Sequence, residues 1–436
     1  MKELAQLKSW VSGLQWLFFM FTNTVVIPIT IGAAFTLPQA DIVTLMQYSF
    51  IVTGIACIIQ AAFGHKRALM EGQSGLWWGV ILSLAAIAPA QGISLTTVGG
   101  SLAVGIILSG LISVLIGLTG AGPVIGRLFK PNVMGVFMLL FGCQILGLFM
   151  QGMLGIPFGA DQANATINGS VSLLSIGLVG LVIWISVKAP PKYRPYGLLT
   201  GILVGWLAYT VLFNGATSTV EGISGFKWEL FILGAPEFHA GIILTAVVTG
   251  LLNLANTYGA LKGTEGMYDT VTSKSEYRRS FTITGAFACL SGLLGLVPNA
   301  PYVSSIGFLS QTRILRQLPF ILAGFLFFLI GAVPFFARIF STIPLSVGSA
   351  VLFVAYLQLL LSALSFFKNV HYTNATIYRT ALPVFIGIII MTMPASAFST
   401  LPSLWQPLLS SGLLVGLVLA IVLENVVPWD QLERPT

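Results

Sequence analysis

Three side chains at helical spacing carry the plainest chemistry in the sequence. Asn253, Asn256 and Thr257 lie in an apolar run from 240 to 262, and a 3.6-residue period puts them on one face, apart from Tyr258. An amide donates and accepts in one plane. The row therefore suits either a planar heterocycle with alternating donors and acceptors or hydrogen bonding to a neighbouring helix. Two carboxylates could carry a proton: Glu71 heads a short apolar run, and Glu265 ends the run that holds the asparagines. An ionisable group at membrane depth is costly and marks function by default, whereas at the interface the same group is simply solvated. Most of the other acids fall in polar connections, and Glu424 falls near the inner end of the last apolar run. His65, His239 and His371 sit at run ends or in connections and are expected at the surface. With no GxSxG, HExxH, P-loop or paired carboxylates, the sequence offers no catalytic cluster or metal site and does not read as an enzyme.

Two stretches break apolar runs with small polar residues and turn formers. Met70-Glu71-Gly72-Gln73-Ser74-Gly75-Leu76-Trp77-Trp78-Gly79 leads one short run, and VPNAPYVSSIGFLSQTR, Val297 to Arg313, leads another. Pro298 and Pro301 cannot continue a helix, and irregular backbone at membrane depth is tolerated where it is buried in protein or lines a cavity. Either stretch alone could be an ordinary loop. At matching places in two halves of a chain, they point to a ligand site. Gln73, Ser74, Gly75 and Leu76 on the first, with Tyr302, Val303, Ser304 and Ser305 on the second, join Asn253, Asn256 and Thr257 as the expected substrate-binding residues. Glu71 and Glu265 are the expected coupling residues.

The elements that must position these residues are membrane spans. The chain of 436 residues is 56% hydrophobic and 8% charged, with apolar runs from end to end. A spanning helix takes about 20 residues. The runs read as an all-α polytopic membrane protein of about fourteen spans, near 14–35, 43–63, 72–90, 96–119, 132–155, 171–187 and 195–213, then 240–262, 280–297, 299–312, 317–336, 344–366, 379–394 and 405–427. The first run has no cleavage-site pattern and is expected to remain as a span. With the N-terminus in the cytoplasm, all 20 Lys and Arg except Lys227 and Arg338 fall on the inner side, a strong positive-inside signal. The expectation is a multi-pass protein of the cell (plasma or inner) membrane with both termini cytoplasmic. Its net charge of +7 then reports topology, not a nucleic-acid partner. Cys57, Cys143 and Cys289 are odd in number, lie in apolar runs and read as small core residues.

The halves resemble each other. Lys130-Pro131-Asn132-Val133-Met134-Gly135 opens the fifth span and Ile343-Pro344-Leu345-Ser346-Val347-Gly348 the twelfth, each with Pro followed four residues later by Gly. Seven spans per half is an odd number, so a duplicated half inserts upside down. The expected architecture is a 7+7 inverted repeat with spans 3 and 10 partly unwound and the substrate held near the midplane between them.

Several of these stretches resemble the nucleobase-ascorbate transporter family, which includes bacterial uracil and xanthine permeases. They are Gly13-Leu14-Gln15-Trp16-Leu17-Phe18-Phe19-Met20-Phe21 through Pro28, Leu128 to Gly135, Ile343 to Val347 and Val297 to Arg313, and the likeness runs over nearly the whole chain. The resemblance implies a core domain at 1–126 and 226–339 (spans 1–4 and 8–11) and a gate domain at 127–225 and 340–436 (spans 5–7 and 12–14). It also implies substrate between short strands in spans 3 and 10, a homodimer, and symport of H+ or Na+ with no other cofactor. Three departures stand out. Asn256 occupies the place of a span-8 carboxylate of the uracil-permease branch. Ser304 occupies the place of a second in span 10, with Ser305 for the usual Asn. The stacking aromatic of span 3 has no clear counterpart, Leu76, Trp77 and Trp78 being nearest.

Two half-helices aiming their N-termini at one site create a positive potential there. With amides and hydroxyls in place of carboxylates, such a site favours a ligand that brings its own negative charge. The expected function is a secondary active permease for a nucleobase, an oxopurine such as xanthine or urate, working by alternating access and coupled to a cation. The alternative is an anion transporter or channel of the related inverted-repeat fold.

Overall fold

Long runs of Leu, Ile, Val and Phe punctuated by Gly form helices, because in lipid each backbone N–H and C=O must be satisfied within its own segment. The computed structural model describes residues 7–156, 158, 166–190, 193–213, 228–368 and 370–432. In order, the elements are α1 (Leu7–Thr24), α2 (Val26–Ala34), α3 (Gln39–Ala62), β1 (Glu71–Gln73), α4 (Gly75–Ile87), α5 (Leu95–Thr119), α6 (Gly122–Gly126), α7 (Pro131–Met153), α8 (Gly169–Lys188), α9 (Gly197–Leu212) and α10 (Ala240–Tyr268). They continue with α11 (Lys274–Leu294), β2 (Asn299–Pro301), α12 (Ser304–Thr312), α13 (Gln317–Ala332), α14 (Pro334–Ser341), α15 (Leu345–Tyr356), α16 (Gln358–Phe367), α17 (Tyr378–Thr392), α18 (Gln406–Leu409), α19 (Gly412–Val426) and α20 (Trp429–Leu432). The fold is mostly helical. Among the described residues seven helices are long and apolar enough to cross a membrane, eight if α13 and α14, bent by 83°, count as one. Shorter apolar helices include α9, α17 and α19. Lys227 and the expected domain boundary at 225/226 lie outside the described residues.

Two sets of helices pack mainly among themselves. In one, α5 lies along α11 and α10, and α13 along α3 and α1; in the other, α7 lies against α15, α16, α17 and α19, and α8 against α9 and α15. Lipid supplies no hydrophobic drive between helices, so close approach of backbones at small residues does the work. A Cβ added to Gly54 of α3 would lie 2.6 Å from the carbonyl oxygen of Gly324 on α13, and one added to Gly285 of α11 would lie 2.7 Å from that of Gly110 on α5.

Inside the first set, β1 and β2 pair antiparallel, with Glu71 opposite Pro301, Gly72 opposite Ala300 and Gln73 opposite Asn299. Ser74 N–H donates to Pro298 O and Tyr302 N–H to Met70 O, both at 2.8 Å, extending the ladder at each end. Pro301 has no N–H to give, and Glu71 N–H opposite it turns instead to Cys57 Sγ on α3 at 3.3 Å. Helix α4 starts one residue after one end of the ladder and α12 two residues after the other.

Two sequence expectations need correction. His65 is fully buried, because Gly64 to Arg67 folds under the C-terminal end of α10 instead of looping into water. Its Nδ1 accepts from Arg67 N–H at 3.1 Å, and burial, reinforced by the Arg67 charge, pushes its pKa down to about 3, which keeps the ring neutral. Cys143 sits on the exposed side of α7, because the apolar run that carries it turns that face outward; Cys57 is buried as expected.

Replacing Gly54 by Val is expected to cost about 1–3 kcal/mol by overpacking the α3–α13 contact. Thermal unfolding of the detergent-purified protein reads this as a lowered Tm, and an unchanged Tm would contradict the packing described.

Candidate functional site

The strand pair has two faces, and side chains alternate between them. Ser74, just past β1, heads α4 without capping it; its Oγ instead donates to Asn253 Oδ1 on α10 at 2.6 Å. Asn256, one turn further, donates from Nδ2 to the same Oδ1 at 2.9 Å and to Ser74 Oγ at 3.4 Å. Asn253 is buried and Asn256 half-buried, and Asn256 Oδ1 keeps an acceptor without a partner among the described residues. The structure thus joins three of the expected residues into one polar cluster at the N-terminus of a half-helix, where the amide dipoles add positive potential.

The other expected residues divide. Gly75 has no side chain because Phe141 of α7 lies against it, and an added Cβ would meet the ring at 2.3 Å. Phe141 stacks with Phe137 at 5.9 Å and meets Tyr356 edge-on at 5.8 Å, so the second helix set brings an aromatic wall to the first. Leu76 is buried in packing, as are Trp77 and Trp78, whose Nε1 donates to Thr30 Oγ1 at 2.9 Å. Thr257 is buried, its hydroxyl unpartnered among the described residues.

On the second stretch, Tyr302 clamps the ladder, its OH donating to Gln73 O at 2.5 Å and lying 3.3 Å from Asn23 O. Ser305 is buried and its Oγ accepts from Met70 N–H at 3.2 Å, holding the chain that enters β1. Val303 is half-buried and Ser304 exposed at the head of α12.

Behind the strands, Gln73 points to α3, its Nε2 donating to Ser49 Oγ at 3.2 Å while its Oε1 stays unpartnered. Glu71 points the same way and is fully buried, with Oε1 accepting from Thr284 Oγ1 of α11 at 2.7 Å. Glu265 has a different place. It pairs with Lys262 at 2.8 Å and accepts Thr272 N–H at 3.0 Å, at the C-terminal end of α10.

Sequence reasoning missed several partners. Arg67 is buried at the end of α10, giving Nη1 to Leu261 O at 2.6 Å and Nη2 to Thr272 Oγ1 at 2.9 Å, a cation at the negative end of a helix. Gln60 and Thr284, polar residues in apolar runs, carried a signal that was not followed. Phe141 carried none, since one Phe among many on an apolar helix looks like packing. In the other helix set, Glu424 near the C-terminal end of α19 pairs with Arg379 through Nη2–Oε1 and an Nε–Oε2 bond of 3.1 Å. Asn132 Nδ2 donates to the same Oε2 at 3.1 Å, and Lys130 Nζ reaches Glu424 O at 2.8 Å. This cluster ties α7, α17 and α19 beside a cavity of about 480 Å³. Arg379→Ala would strand the buried Glu424 carboxylate and is expected to cost about 3–5 kcal/mol. Guanidinium or thermal unfolding compared with wild type checks it, and a loss below about 1 kcal/mol would refute the buried pairing.

The sequence model of a permease family matches residues 7–396. The chain is 27% identical to YwdJ of Bacillus subtilis (strain 168), a purine permease by name only, over 96% of each chain. It is 24% identical to a xanthine permease of the same organism, over 95% of this chain and 92% of that one. Among solved structures, the transmembrane domain of the cyanobacterium bicarbonate transporter BicA superposes with a TM-score of 0.64 at 18% identity, covering 95% of this chain and 98% of that one. At that identity the likeness concerns the fold.

Proposed function

From the premise that the chain belongs to the nucleobase-ascorbate transporter family, we propose that it is a secondary active permease for an oxopurine such as xanthine or urate, working by alternating access and coupled to a cation. The chain is a permease and not an enzyme. The observation that carries the substrate reading is the Ser74–Asn253–Asn256 cluster at the head of α4, polar and free of carboxylate. A neutral base would be served by an acceptor carboxylate there. An anionic oxopurine instead meets amide donors and the positive end of a half-helix.

The packing supports the domain reading. The set built on α1, α3, α5, α10, α11 and α13 corresponds to the core domain, and the set built on α7, α8, α9, α15, α16, α17 and α19 to the gate. Fourteen spans follow if α1 with α2 counts as the first, β1 with α4 and β2 with α12 as the unwound third and tenth, and α15 with α16 as the twelfth, the short helices α6, α14, α18 and α20 being left out. In that reading the two strand-led helices come from opposite halves of an inverted repeat. The positive-inside charge supports cytoplasmic termini in the cell membrane, and a homodimer is carried over from the family resemblance. For coupling, geometry favours Glu71, sealed inside the core set, over Glu265, which already has Lys262 and a backbone N–H.

Asn256→Ala is expected to weaken urate or xanthine binding about tenfold, the worth of about one hydrogen bond to a charged group. Titration calorimetry on purified protein reads it, with uracil and adenine as comparisons. Preference for neutral adenine or uracil over urate and xanthine across the pH range would contradict the substrate assignment.

A further inference from the structure

We propose that Gln144 of α7 is a positioning residue that latches α4 in one of two registers, and that α4 slides one helical turn along α7 between the two access states. This rests on the alternating-access reading and deepens it by naming the contact that moves. Helices α4 and α7 lie against each other across the seam between the two helix sets. Phe141 of α7 lies on Gly75, and Gln144, one turn further along α7, donates from Nε2 to Gly79 O at 2.8 Å. Gly79 stands one turn beyond Gly75 on the same face of α4, and Ser83 one turn beyond Gly79. A helix that meets its neighbour through small residues spaced by one turn has a second register available, and one-turn jumps of packed elements are an established way of switching.

The latch is half satisfied as it stands. Gln144 Oε1 is buried with no partner among the described residues, and an orphaned acceptor in a buried place calls for an explanation. Ser83 is half-buried, and its hydroxyl has no partner among the described residues either. Sliding α4 toward its own N-terminus by four residues, about 6 Å, seats Phe141 on Gly79 and carries Ser83 to Gln144. There Gln144 Nε2 donates to Ser83 O and Gln144 Oε1 accepts the Ser83 O–H, so the amide is paired on both sides. The opposite slide is closed, because it drives Phe141 onto β1, ahead of Ser74, which Asn253 holds. The two glycines therefore serve different registers. At Gly75 the Phe141 ring already fills the space of a Cβ, whereas at Gly79 an added Cβ would lie 3.5 Å from Gln144 Nε2 and 3.7 Å from Phe141 Cε2, ordinary contact. The described register tolerates alanine at 79. The slid register does not, because Phe141 would then meet that Cβ as it would now meet one at Gly75.

The test uses the full chain, purified and in liposomes, with labelled urate as the probe. Gly79→Ala should bind urate within about twofold of wild type by titration calorimetry, and its Tm should be equal or higher, since alanine suits a helix better than glycine. Its uptake should nevertheless fall by about tenfold or more, the cost of overpacking one register. A merely structural defect would lower binding and Tm along with uptake. Independently of transport, mercuric ion, which bridges neighbouring thiols, reads the register in a Cys143→Ala, Cys289→Ala background. Gln144→Cys with Gly79→Cys should bridge, and so should Gln144→Cys with Ser83→Cys; adding Gly79→Ala to the second pair should abolish its bridge. Uptake at the wild-type rate by Gly79→Ala, a Ser83→Cys pair that never bridges, or one that bridges equally well with Gly79→Ala, would overturn the proposal. If wild type takes up no base, the permease reading fails instead, and the thiol pairs alone decide this one. If Gly79→Ala does not fold, bridging or its absence in the Ser83→Cys pair decides it.

Discussion

The hydrogen-bonded ladder between β1 and β2 is the constraint on which the rest depends. Two prolines and a run of small polar residues forbid helix at membrane depth, and backbone left bare there must find partners. Each strand is the other's partner, closed by Ser74 N–H to Pro298 O and Tyr302 N–H to Met70 O. Once the ladder exists, side-chain direction is fixed by the pleat. Ser74 faces α10, while Glu71 and Gln73 face α3 and α11.

That alternation explains what could be read in the sequence and what could not. The breaks at Met70–Gly79 and Val297–Arg313 were legible because Pro and Gly announce themselves, and the Asn253/Asn256 pair because helical spacing puts both on one face. The position of Glu71 was not. On a helix, residues 71 and 74 would share a face; on a strand they part. Residues expected to line one cavity therefore divide: Ser74 and Asn256 form a cluster, whereas Tyr302 and Ser305 hold the ladder that positions it. Buried Arg67 and His65 were hidden by the opposite error, since a basic His-Lys-Arg run reads as a wet loop until the end of α10 is seen to need a cation.

The second helix set is organised around charge at one end and aromatic rings at mid-depth. Its ion pair joins three helices into one body at one end, and Phe141 against Gly75 and Tyr356 against Trp78 form its contact with the head of α4. Pro131 and Pro344, the matched positions that first suggested duplication, each border a cavity, of about 480 and 390 Å³. The cavity at Pro344 lies between Gln39 and Ser341 on one side and Asn168 and Tyr209 on the other, across the seam where the proposed domains would move.

The central claim is that ligand sits in front of the ladder, against Ser74, Asn253 and Asn256 and within reach of Phe141. A cryo-electron microscopy map of the protein with urate or xanthine tests it most directly. Flat density at hydrogen-bond distance from Asn256, between the head of α4 and α7, is the result expected. Density confined to the cavity beside Arg379 and Lys130, with the front of the ladder empty, would contradict it.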